Sequence, residues 1–159
     1  MAQVVGAHAR EPDAGGYPET GIACGVAVAP RREFEFTYLH GISWDDVATA
    51  PTFGEVWPTL VPMLDGAEFL AAHWATFDEG VLRACCAAAR LRPPALRFEC
   101  TVDWAKRAWG LRTAKLPVVC VHLGLRLEHH EAGSDAEACA RIMVAARKAC
   151  GEAAKGARR

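Results

Sequence analysis

Two aspartates stand out by position. Asp78 and Asp135 each follow a histidine by five residues, His73 and His130 respectively, and each falls in the first turn of an expected helix. Acids at helix starts complement the exposed N–H groups and the positive end of the dipole, which is a purely structural reason for one to be there. What distinguishes these two is that each has an imidazole at the same spacing, and carboxylates are the donors that hard divalent cations take. The charge distribution fits such chemistry. Residues 1–80 carry three Lys/Arg against twelve Asp/Glu, residues 81–120 eight against two, and residues 121–159 seven against five. An acidic part that holds cations beside a basic part that holds a phosphate backbone would suit a metal-dependent enzyme acting on phosphodiesters. An ordinary solvated surface would give the same count.

The elements that must position these groups can be read from pattern. Ala67–His73 (AEFLAAH) is an apolar run of strand length, as for a strand covered on both faces. It leads into a helix with Thr76 and Glu79 at capping-box spacing, continuing to about Arg90. The helix carrying Asp135 is expected to start at Ser134 with Glu137 as its reciprocal cap, and Ala138, Cys139, Ile142, Met143, Ala145 and Ala146 recur at helical spacing. Between these lie the loop LRPPALRF, a strand over Phe98–Val102, a short helix Asp103–Trp109 stopped by Gly110, and a helix Leu116–Leu123 ending at Gly124. Upstream, Gly21–Pro30 and Phe34–Leu39 read as strands, and Thr52 with Glu55 opens a helix that Pro58 and Pro62 kink or divide. Strands followed by helices indicate an α/β domain over residues 21–150, preceded by an irregular segment, 1–20, and followed by a frayed basic tail, 151–159.

Composition removes several classes. A chain of 159 residues, 52% of them hydrophobic, can bury one sizeable core and is too apolar for disorder. No stretch approaches the roughly 20 apolar residues that cross a bilayer, and the interrupted opening MAQVVGAHAREPD is not a signal peptide. The seven cysteines are odd in number, include no CxxC and mostly sit among Ala, Val and Leu. They are expected to be reduced, buried small residues of a cytoplasmic protein.

Four ordered blocks carry a resemblance. AAHWATFDEGVL (Ala71–Leu82) resembles the second motif, HNxxFD, of the DEDD-type 3′–5′ exonucleases, and HHEAGSDAEACA (His129–Ala140) resembles their third motif, HxAxxDA. The latter is that of the histidine subclass typified by the epsilon proofreading subunit of DNA polymerase III. FTYLHGISWDDVATAPTF (Phe36–Phe53) resembles the family's linking segment, with HGI and APTF blocks, and FECTVDWAKRAWGLRTAKLPVVCVHLGL matches its KLP and HLG pieces. The resemblance implies an RNase H-like fold, a mixed sheet flanked by helices, with the N-terminal strands here shortened or missing. It implies hydrolysis of phosphodiester bonds of DNA or oligonucleotides with Mg²⁺ or Mn²⁺ in a two-metal mechanism, in the setting of replication and repair. Asp78 and Asp135 become metal ligands and His130 the general base. His40, Trp74 and Phe77 lie along the implied path of the substrate, a single-stranded 3′ end, and a polymerase subunit is an implied partner.

The first motif of that family, DxE, should lie shortly before GIACGV, where this chain reads HAREPDAGG. One register puts His8 and Arg10 at the acid positions, another Pro12 and Ala14, and a third offers Glu11 and Asp13 in the order ExD. Trp74 stands where the second motif has Asn. Two cations about 3.5–4 Å apart bring four positive charges that neighbouring carboxylates must offset. Unless Glu11 and Asp13 substitute as ligands, impaired activity is expected. The alternative is a catalytically inactive relative that binds nucleic acid or a polymerase.

Overall fold

The computed structural model describes residues 5–7, 37–128 and 131–156. The expected strand Gly21–Pro30 lies outside them. At the centre is β2 (Phe69–Ala72), all four residues of which are buried. It pairs in parallel with β3 (Arg97–Cys100), Phe69 opposite Arg97 and Ala72 opposite Cys100. On its other side runs β1 (Val5–Ala7), antiparallel, with Val5 opposite Ala71 and Ala7 opposite Phe69. The result is a mixed sheet in the order β1-β2-β3 among the described residues. The strand at Val5–Ala7 falls inside the segment expected to be irregular: three small or β-branched residues are too few to show a period, and β2 supplies their pairing.

Parallel strands need a crossover, and α4 (Ala75–Ala88) makes it. Alternation along β2 then divides the core. Leu70 packs with Phe53, Trp57, Leu82, Cys85 and Cys86, which belong to α3 (Phe53–Leu60) and α4. Phe69 and Ala71 face Met143 on α7 (Ala132–Gly156). A third cluster joins α7 to α5 (Thr101–Trp109) and α6 (Leu116–Leu123) through Ala105, Leu116, Val119, Cys120, Ala138, Cys139 and Ile142. Helices thus cover the sheet as an RNase H-like domain requires, and β2, closed in on both faces, has no polar position. No described helix is long and apolar enough to cross a membrane.

Several element boundaries differ from those expected. Thr37–Leu39 is not strand but most of a single helical turn, α1 (Thr37–His40), closed where Gly41 takes a left-handed φ of 72° and Thr37 Oγ1 donates to the Ile42 carbonyl at 2.9 Å. A second turn, α2 (Trp44–Val47), is capped by Ser43 with Asp46. The Thr52–Glu55 capping box forms as read, the Thr52 N–H donating to Glu55 at 2.7 Å. Pro58 is accommodated within α3, and the break comes at Pro62, where the chain tightens into a 3₁₀ turn, Val61–Leu64. β3 ends two residues early because Thr101 already begins α5. At the other end α7 runs to Gly156, six residues into the expected tail.

Candidate metal-binding site

The parallel strands end together, and the turns beyond them hold the chemistry. Between β2 and α4 the chain has two residues, His73 and Trp74, in which to reverse from strand to helix. Trp74 makes the turn in the left-handed region, φ 68° and ψ 50°, and α4 starts at Ala75. The expected Thr76–Glu79 capping box therefore does not form; Glu79 pairs with Arg83 at 2.7 Å instead. Asp78 is then the fourth residue of α4. Asp135 is the fourth residue of α7, because that helix starts at Ala132 and not after Ser134. Its cap is the Glu131 carboxylate, which accepts the Gly133 N–H at 3.0 Å and the Ser134 N–H at 2.5 Å. These two bonds hold the Glu131 carboxyl below its ordinary pKa. Ser134 Oγ instead accepts the Glu128 N–H, and Glu137 pairs with Arg141.

Asp78 and Asp135 are 4% and 5% exposed. Carboxylates are rarely buried so far without a purpose, since removing an ionised group from water costs several kcal/mol unless partners offset it. The two are 57 residues apart in the chain but act on one group. The fully buried thiol of Cys139 is pushed up to about 12, first by its burial and then by the negative fields of both Asp78 and Asp135, against the lowering effect of hydrogen bonds from the His73 N–H and the Thr101 hydroxyl. The Cys120 thiol is likewise raised, by burial and then by Asp135. Beneath them His73 Nδ1 lies 2.8 Å from Thr101 Oγ1, and Thr101 is fully buried.

Two hard oxygen donors suit Mg²⁺, which keeps several waters and is commonly held by one or two carboxylates together with substrate phosphates. Among the described residues no cluster of three His, Cys, Asp or Glu could hold a metal ion. His130, Glu11 and Asp13 lie outside the described residues, as does the side chain of His40, the last residue of α1. On the rim, Trp74 is 69% and Phe77 60% exposed, one helical turn apart and next to Asp78. Beside them a cleft of about 550 Å³ runs between the starts of α4 and α5, lined by Thr76, Glu79, Glu99, Asp103, Trp104 and Arg107. Arg107 stacks over the Trp104 ring at 3.9 Å, and Arg112 and Lys115 are exposed farther along the chain.

Thr101 and Cys139 did not emerge from the sequence as members of this site. Cys139 carried a signal, since it lies one helical turn after Asp135 on the same face. Thr101 carried none, because its role depends on β2 and β3 ending side by side.

Comparison with known proteins places this geometry. The model of the Exonuclease family matches residues 19–143, about four-fifths of the chain. The chain is 34% identical over 114 residues to the PolC-type DNA polymerase III of Clostridium perfringens (strain 13 / Type A), an alignment covering 69% of this chain and 8% of that polymerase. No solved structure matches. The family match opens on Glu19, two residues before GIACGV, an acid that the three registers of the first motif leave out.

Proposed function

The chain belongs to the DEDD-type exonuclease family, and from that premise we propose that it is a 3′–5′ exonuclease acting on single-stranded ends of DNA or oligonucleotides. The observation that carries the reading is the pair of buried carboxylates, Asp78 and Asp135, each in the first turn of a helix within the span matched by the family. Both supply hard oxygen donors for Mg²⁺ or Mn²⁺, with Glu11 and Asp13, or Glu19, as the further acids. When bound, such cations make hydroxide available at neutral pH and offset charge on the leaving 3′ oxygen. His130 takes the proton of the attacking water. Trp74 and Phe77 offer exposed rings on which the terminal bases stack, and His40 approaches the 3′ end. Reduced thiols suit a cytoplasmic setting. The chain spans 8% of the length of the polymerase it matches, so association with a polymerase belongs to the same proposal.

The test is stepwise shortening of a 5′-labelled single strand from its 3′ end with Mn²⁺. Asp135→Ala combined with His130→Ala should remove it, and a wild-type chain no more active than that double variant ends the catalytic reading. Glu19→Gln compared with Glu11→Gln and Asp13→Asn then shows which acids complete the set.

One observation favours a second reading, binding without cleavage. An exposed indole occupies the turn where the family motif has Asn. Salt-sensitive, chelator-insensitive binding of single strands without product would support it, and chelator-sensitive turnover would remove it.

A further inference from the structure

Thr101 is where three elements meet. Its hydroxyl lies 2.8 Å from His73 Nδ1, at the end of β2, and 3.4 Å from the Ala72 carbonyl. Thr101 and Cys139 are both fully buried. A buried hydroxyl is costly unless bonded, and this one has its partners at the end of β2, the strand that leads to Asp78.

We propose that Thr101 is a positioning residue, which through His73 sets where α4 begins and hence the placement of the Asp78 carboxylate and the affinity for a divalent cation. The inference rests on the reading of Asp78 and Asp135 as metal ligands. Asp78 follows His73 by five residues across a two-residue turn, so whatever fixes His73 fixes the start of α4. Helices α4 and α7 share no extensive packing of their own. Asp135 is placed separately, by the apolar packing of α7 on α5 and α6, so the Thr101 hydroxyl acts on the Asp78 side of the pair. An apolar side chain of the same shape would fill the volume but remove the hydrogen bond between Thr101 and His73.

The experiment measures Mn²⁺ binding to the full chain by electron paramagnetic resonance, with the thermal midpoint recorded for each variant. Thr101→Val keeps the shape and removes the hydroxyl; Thr101→Ser keeps the hydroxyl. Weakening of about 10–100-fold is expected for Thr101→Val, the range typical of groups that orient ligands, with wild-type affinity retained in Thr101→Ser. Equal affinity in Thr101→Val and wild type overturns the inference, as does equal weakening in Thr101→Ser. Should Thr101→Val fail to fold, His73→Asn, which keeps a polar atom near the Nδ1 position, against His73→Leu reads the same tie. A wild-type chain that binds no Mn²⁺ overturns the metal-ligand reading and this inference with it, whereas a binding wild type with an indifferent Thr101→Val overturns the inference alone.

Discussion

Asp78 and Asp135 sit almost out of water, each in the first turn of a helix. Such an arrangement trades stability for binding capacity. Without metal, Asp135→Asn should therefore raise Tm by about 2–4 °C, the equivalent of roughly 1 kcal/mol in a chain of this size. Mn²⁺ at a hundred times its Kd should stabilise the wild type by about 2.7 kcal/mol and the variant hardly at all. Scanning calorimetry with and without Mn²⁺ checks both, and an unchanged wild-type midpoint on adding Mn²⁺ would count against a cation site. Trp74 shows the same trade. A non-glycine residue with φ of 68° carries a steric cost of roughly 1–2 kcal/mol, and Asn tolerates that region better. Trp74→Asn should gain stability by denaturant titration. If the exposed indole stacks on a base, the variant should lose about 1–3 kcal/mol of single-strand affinity, read by fluorescence anisotropy.

Helix starts decide where the acids point, and they were only partly legible. At α3 a threonine with a glutamate three residues on formed the reciprocal cap that the spacing announced. The same spacing at Thr76 and at Ser134 did not, for two different reasons. Above β2 the two-residue turn forces the left-handed conformation at Trp74, so tertiary geometry begins α4 two residues early. At α7 the longer Glu131 side chain reaches two N–H groups and begins the helix ahead of Ser134. Both shifts leave the acid in the first turn, so the placement of Asp78 and Asp135 survived an error in the caps. The Glu131 cap also has a pH signature. Its folded pKa is depressed below 4.5, so its contribution is complete above that value and is lost as pH falls through the folded one. Glu131→Ala should lower Tm by about 2–4 °C at pH 7, as for a lost cap, and the deficit should shrink as the pH drops below 4.5. Thermal melts from pH 7 to pH 3 test this, and a deficit that does not change with pH would remove the capping role.

At the scale of the whole molecule, the apolar runs told where β2 lies and that helices cover it, because burial on both faces erases the alternation of an exposed strand. They did not tell that Val5–Ala7 pairs with it, since a three-residue strand has pattern only through its partner. The first-turn positions of Asp78 and Asp135 were legible from the motif likeness, whereas the hydrogen bond between Thr101 and His73 needed the register of β2 on β3. The uneven charge is the remaining global feature. Arg107, Arg112 and Lys115 lie along α5 and the approach to α6, all exposed, and Arg107 is already ordered against Trp104. If they carry the phosphates of a strand whose end reaches the acids, each neutralised charge releases about 0.7 of a counterion from single-stranded nucleic acid. Replacing all three with Ala should then weaken binding and flatten the slope of log K against log salt by about 2. Titrations of a labelled oligonucleotide in Ca²⁺ at several salt concentrations measure that slope. An unchanged slope in the triple variant would assign these charges to plain surface and send the strand along another path to Asp78 and Asp135.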